Sequence, residues 1–227
     1  MNIIKGLLKK DLFNLASYKS SLIIIFVCIF AIGTMNESTA NFIPIIMSAM
    51  IGMIALATFN YDEVSKSEKY VLALPTNRKK IILEKYILII SCTIIGGILG
   101  FIITPIIINI INYIKAENII SVDYESLLSV TIGGIFGISL ISAIQIPSVY
   151  KWGAERGRIQ MFILLFALFA IVGGIGYLII NNIFNIDVEA IKNIFNKFGL
   201  LILIILSAIM YYVSYKISYK IYKNKEY

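Results

Sequence analysis

Six stretches of this chain, at 18–35, 42–60, 86–113, 127–150, 159–180 and 198–215, are dominated by isoleucine, leucine and other apolar residues and are almost free of Asp, Glu, Lys and Arg. A helix that crosses about 30 Å of hydrocarbon needs about 20 such residues. Isoleucine favours strands in water, yet a run such as Ile106-Ile107-Ile108 cannot stand as an open strand in lipid, where each unpaired backbone group costs several kcal/mol. Helix is therefore imposed by the solvent. Ten Leu or Ile contribute roughly −3 to −6 kcal/mol to insertion, enough to carry a few Ser or Thr in each span. Apolar residues make up 59% of the sequence and charged ones 15%, outside the range of soluble domains. Strand-like alternation is absent, which argues against a membrane barrel. The sequence predicts one all-α integral membrane domain over 1–227 with six transmembrane helices.

The positive charge sets the orientation. Segments 1–20, 60–85, 150–158 and 216–227 hold seventeen of the twenty Lys and Arg, and with six spans all four fall on one side. Cytosolic loops collect Lys and Arg, so both termini and the segment 62–85 are expected in the cytosol. The net charge of +7 is then an orientation signal and a lipid-headgroup contact, and no nucleic-acid partner is expected. The first residues, about 3–17, repeat apolar side chains at helical spacing (Ile4, Leu7, Leu8, Leu12, Leu15), with Lys5, Lys9 and Lys10 elsewhere around the helix. That pattern suits an amphipathic helix lying on the membrane. A signal peptide is the competing explanation, but its cleavage would remove the first span and spoil the charge count. Cys28 and Cys92 lie inside predicted spans and suggest neither a metal site nor a disulfide framework.

Within the spans, Pro105 and Pro147 are candidate helix kinks. Glycines cluster at Gly96-Gly97-x-x-Gly100, Gly133-Gly134-x-x-Gly137 and Gly173-Gly174-x-Gly176. They are expected to be close-packing faces, within the subunit or between subunits. The exterior loops are short, with Glu117, Asp123, Glu125, Asp187 and Glu189. Near the C-terminus Tyr211, Tyr212, Tyr215, Tyr219 and Tyr222 interleave with Lys216, Lys220 and Lys223, the composition of an interfacial belt.

The chain has no histidine, which removes His-ligated metalloproteases and Ser-His hydrolases. Its spans lack the midplane charges of ion-coupled carriers. Any energy for transport must come from outside the chain, and an apolar pathway suits hydrophobic or amphipathic cargo.

Against this background the segment 62–85 stands out, with ten charged residues in twenty-four positions. It is too short to bury a core of its own and suits a docking surface. From Asp62 to Ala73 the pattern fits a short surface helix in which Asp62 and Lys66 form an i,i+4 pair. Pro75 then sets a turn, and Asn77 caps a helix that opens on Arg78, Lys79 and Lys80. Three cations at a helix N-terminus oppose its dipole, so anionic headgroups or an acidic partner are expected opposite them.

The stretch Asp62-Glu63-Val64-Ser65-Lys66-Ser67-Glu68-Lys69-Tyr70-Val71-Leu72-Ala73-Leu74-Pro75-Thr76-Asn77-Arg78-Lys79-Lys80, followed by Glu84-Lys85-Tyr86, resembles the cytosolic signature of type-2 permeases of ATP-binding-cassette exporters. The opening Lys9-Lys10-Asp11-Leu12 is similar to that family's start. The resemblance implies a non-catalytic permease in the bacterial plasma membrane, paired with a second copy of itself and bound to two separate ATPase subunits. ATP and Mg would sit on the ATPases and no cofactor on this chain. It implies an elbow helix containing Lys5, Leu8, Lys9, Lys10, Asp11 and Leu12. It also implies a coupling helix whose ATPase contacts are Asp62, Glu63, Ser65, Lys66, Glu68, Lys69, Tyr70, Leu74, Pro75 and Arg78. Compact members that export amphipathic peptides such as phenol-soluble modulins, or confer bacteriocin self-protection, are the nearest in kind. The competing function is a membrane scaffold or immunity protein that transports nothing, and a self-powered carrier ranks third.

Overall fold

The computed structural model describes residues 3–18, 20, 23, 24, 27–29, 31, 40–67, 77–115, 122–180 and 188–224. Among these residues are seven helices and no strand. They are α1 (Ile3–Ala16), α2 (Ile43–Leu56), α3 (Thr58–Val64), α4 (Arg78–Lys115), α5 (Tyr124–Trp152), α6 (Ala154–Ile180) and α7 (Val188–Lys223). The described residues between Ser20 and Ala31 are also helical. Four segments are long and apolar enough to cross a membrane: Ile43–Val64, Arg78–Tyr113, Tyr124–Trp152 and Gly199–Lys223. The expected fifth span, 159–180, falls inside α6.

Local sequence explains the helix ends. Asn77 accepts a hydrogen bond from the Lys79 N–H at 3.1 Å and opens α4 as expected. Asp123 caps α5 in the same way, accepting from Glu125 N–H at 3.1 Å. Glu125 in its first turn and Lys151 in its last both suit the helix dipole. Gly153, at φ 88°, ends α5 in a conformation that favours glycine and lets α6 start at once. Pro44 sits in the first turn of α2, where its missing N–H costs nothing. Buried hydroxyls inside the spans bond back to their own helix, as Thr93 does to Ile89 O and Thr131 to Leu127 O.

Helix α2 lies between α4 and α5, α7 packs on α5 and α4, and α1 crosses α4. Glycines set the closest approach. A Cβ on Gly100 would stand 2.5 Å from Pro44 Cα and one on Gly96 2.8 Å from Met47 O, while one on Gly134 would meet Ile45. These glycines therefore pack within the subunit, against α2. A Cβ on Gly133, Gly137, Gly173 or Gly174 would meet nothing within 4 Å among the described residues.

Two apolar clusters hold the bundle. One, at the basic end, gathers Phe59, Ile82, Tyr86, Ile89, Ile146, Tyr150 and Tyr222. The other, at the far end, gathers Ile29, Ile43, Met47, Ile107, Ile108 and Ile111. Isoleucines that fit neither, including Ile94, Ile98, Ile102 and Ile106 on α4, face outward, an arrangement that suits lipid and not water.

Two expectations differ from the structure. The helix placed at Asp62–Ala73 does not begin at Asp62: residues 62–64 are the end of α3, and the chain turns at Ser65 with Lys66 at φ 50°. Asp62 points to the half-buried Lys10 and the buried Lys85 and away from an i,i+4 partner. The tyrosine belt is split by helix geometry, since Tyr222 is buried and Tyr211 half-buried while Tyr212 is exposed under the Lys216 ammonium at 4.7 Å. The candidate kink positions Pro105 and Pro147 lie within α4 and α5.

Candidate functional site

At the basic end, α1, α3 and α4 meet around a set of buried charges. Leu7 turns one face of α1 onto Ile81 of α4, and the next turn carries Lys10 and Asp11 to the same junction. Asp11 is fully buried and accepts a short hydrogen bond from Lys85 Nζ on α4. The same ammonium lies 2.6 Å from Asp62 Oδ2 at the end of α3 and donates to Thr58 Oγ1 at 3.2 Å. It also stands 5.1 Å above the Phe59 ring. Lys10 Nζ donates to Asp62 Oδ1 at 2.6 Å and lies 3.3 Å from Asp11 Oδ1, close enough for attraction without a hydrogen bond. Ser67 Oγ completes Asp62 at 2.7 Å.

Two carboxylates and two ammoniums thus alternate around a ring that ties α1 to α3 and α4 across 52 and 74 residues of sequence. Low polarity would make any one of these charges expensive alone, and alternation is what makes the group tolerable. Burial pulls the Lys10 ammonium toward neutrality, but the hydrogen bond to Asp62 and the charges of Asp11 and Asp62 outweigh it and raise its pKa. Lys10 therefore remains charged at neutral pH. Glu84, beside Lys85, is buried as well, and its Oε1 has no hydrogen-bond partner among the described residues. It borders a crevice of about 20 Å³ shared with Lys10, Asp62 and Ser67, the size of one water.

Two further expected contact residues make hydrogen bonds within the chain. The Glu63 carboxylate accepts the Ala154 N–H at 2.7 Å, capping α6 from 91 residues away and placing negative charge at its N-terminus. The Arg78 guanidinium donates to Lys223 O at 2.7 Å and Tyr222 O at 3.4 Å. The last carbonyls of α7 are thus the negative partner that the basic opening of α4 requires. Lys79 lies 5.4 Å from the Tyr219 ring on the same helix.

Of the residues predicted for a partner surface, Asp62 is buried, Arg78 is half-buried, and Glu63, Ser65 and Lys66 are exposed, with Asp62, Glu63 and Arg78 also tied to other helices. Glu68, Lys69, Tyr70, Leu74 and Pro75 lie outside the described residues. On α1, Lys10 and Asp11 enter the ring, Leu8 is half-buried, and Lys5, Lys9 and Leu12 are exposed. Sequence reasoning treated the elbow and the segment after α3 as separate surfaces, and the structure joins them through Lys85, Thr58 and Ser67. The available signal was Glu84-Lys85 set at the edge of an apolar run, where a charge needs a partner. The arrangement connects α1, α3 and α4 mechanically. Among the described residues no cluster of three or more His, Cys, Asp or Glu is placed to hold a metal.

No curated protein and no solved structure matches the sequence. The family described as ABC-2 family transporter protein matches residues 6–223, a span that takes in most of α1, the ionic ring and all of α7. The chain is a multi-pass membrane component and belongs to the ABC-2 transporter family.

Proposed function

We propose that the chain is the permease subunit of an ATP-driven exporter that carries amphipathic peptides or other hydrophobic compounds out of the cell. It works as a homodimer with six spans per copy, both termini in the cytosol, and two nucleotide-binding subunits that hydrolyse the ATP. The observation that carries this reading is the ionic ring, because it ties the surface helix α1 to the end of α3 and the start of α4. The turn that follows, with exposed Ser65 and Lys66, opens the segment 65–77, and the ring gives that segment a rigid base. A partner that pushes there moves α1, α3 and α4 as a unit. The apolar, charge-poor spans favour amphipathic cargo over hydrated ions.

Coexpression with a nucleotide-binding subunit tests the proposal. The chain alone is expected to hydrolyse no ATP, to copurify with that subunit, and to support nucleotide-dependent accumulation of an amphipathic peptide in proteoliposomes. Reversing the exposed charge with Lys66→Glu is expected to lower accumulation about tenfold through like-charge contact, with insertion unchanged. Absence of copurification, or wild-type accumulation by the variant, would remove the coupling role. Copurification without any accumulation would favour a scaffold.

A further inference from the structure

We infer that Gln145 is the polar anchor of a binding site inside the subunit, between α2 and α5, for a neutral amphipathic molecule that donates one hydrogen bond. The inference names the substrate class of the exporter proposed above and rests on that proposal. Two cavities, of about 300 Å³ and about 110 Å³, share Met53, Leu56 and Gln145 as walls. The larger also touches Tyr18, Asn60 and Val149, and the smaller touches Ile138 and Ile141. Their combined size reaches that of small-molecule sites, which are mostly apolar with a few placed polar groups.

Gln145 is 4% exposed, and its Oε1 has no hydrogen-bond partner among the described residues. A buried amide oxygen without a donor costs about 1–3 kcal/mol, so glutamine here is a poor choice for packing alone. Neighbouring hydroxyls do not relieve it. Thr93 Oγ1 donates to Ile89 O at 2.8 Å, and Ser142 Oγ donates to Ser139 O at 3.0 Å. The acceptor therefore selects for an N–H or O–H on the occupant. No carboxylate lines either cavity among the described residues, which disfavours a cationic headgroup and selects a neutral donor such as an amide. The apolar walls from Met53, Leu56, Ile138 and Ile141 take the attached chain.

The matched pair N-methyl decanamide and methyl decanoate isolates this chemistry, because they share a shape and only the amide donates. With the full chain in lipid nanodiscs, a diazirine-tagged N-methyl decanamide is expected to label Met53 or Leu56. Untagged amide should compete about fivefold better than the ester, the ratio of one neutral hydrogen bond. Gln145→Leu should remove that preference while retaining labelling. Ala57→Leu, which narrows the larger cavity and leaves Gln145 intact, should weaken both competitors, so the inference stays testable if Gln145→Leu does not fold. Equal competition by amide and ester on the wild type, or labelling confined to outward residues such as Ile98 and Ile102, overturns it. Amide selectivity without a copurifying ATPase would sink the exporter proposal alone, and ATP-driven export without amide selectivity would sink this inference alone.

Discussion

Helix α7 divides into two halves of unlike character. From Leu200 to Ile209 almost every residue is exposed, and all are apolar or small. From Tyr211 to Tyr222 the same helix turns Ser214, Ser218 and Tyr222 into the bundle, with Tyr211 and Tyr215 packed beside them. Only 6% of the most apolar window of Gly199–Lys223 is buried, against 44% for Ile43–Val64. Both segments qualify as spans, so hydropathy identifies the solvent and says nothing about neighbours. The anchored half is distinguished by polar groups that need partners.

Ser214 shows why. Pro147 on α5 has no N–H, so the Ala143 carbonyl four residues earlier loses its helical donor. Ser214 Oγ supplies the replacement, with a short hydrogen bond to Ala143 O. With its proton committed there, Ser214 must accept from Tyr86 Oη at 2.6 Å, and Tyr86 must accept from Ser218 Oγ at 2.8 Å. The proton direction of the chain follows from one proline. Ser142 Oγ and Tyr211 Oη, 2.7 Å apart, add a parallel tie.

The largest effect is expected at the ionic ring, the most polar part of the anchored end. Lys85→Met leaves Asp11 buried without its nearest cation and should cost about 3–5 kcal/mol of unfolding free energy. Asp11→Leu combined with Lys85→Met should recover most of that loss, because an apolar pair of similar volume has no charge to desolvate. Denaturant unfolding in mixed micelles measures both. A double variant no better than the single one would mean that volume, not charge, holds the junction.

An intermediate effect is expected where α7 meets α5. Ser214→Ala should cost about 1.5 kcal/mol, near the top of the range measured for hydrogen bonds between membrane helices, since the Ala143 carbonyl has no other donor. In a Pro147→Ala background the restored N–H can serve that carbonyl, and the cost of Ser214→Ala should fall by about half. The Tyr86 contact would still be lost. Additive costs in the double variant would show that Ser214 matters for packing alone.

Much of this architecture was legible in the sequence. The positions of α4 to α7 follow from apolar run length and charge placement, and Asn77 announced the start of α4. What stayed hidden depends on contacts between residues far apart in the chain. Asp62, Glu63 and Arg78 have the composition of a solvated docking surface, and only the approach of α1, α6 and α7 gives each of them a partner within the chain, with Asp62 alone buried. Gly96 and Gly133 carry the same local signal, yet one meets a neighbouring backbone and the other meets nothing among the described residues. Helix periodicity gives the face of a residue, and the neighbour on that face is set by tertiary packing.

The smallest effect is expected in the bare half of α7. Leu201→Ala and Ile205→Ala remove side chains that are 56% and 51% exposed, and if lipid alone covers them the change in stability should stay within about 0.5 kcal/mol. Lipid chains close around the smaller side chain, so no cavity term is added. A second copy of the chain packed on this half would behave differently. The loss would then exceed about 1.5 kcal/mol and would shrink as the protein is diluted in lipid, because association contributes stability by mass action. Measuring unfolding of both variants at two protein-to-lipid ratios separates the cases: a small, ratio-independent loss keeps Leu200–Ile209 as a lipid-facing surface, and a large, ratio-dependent one makes it the dimer contact.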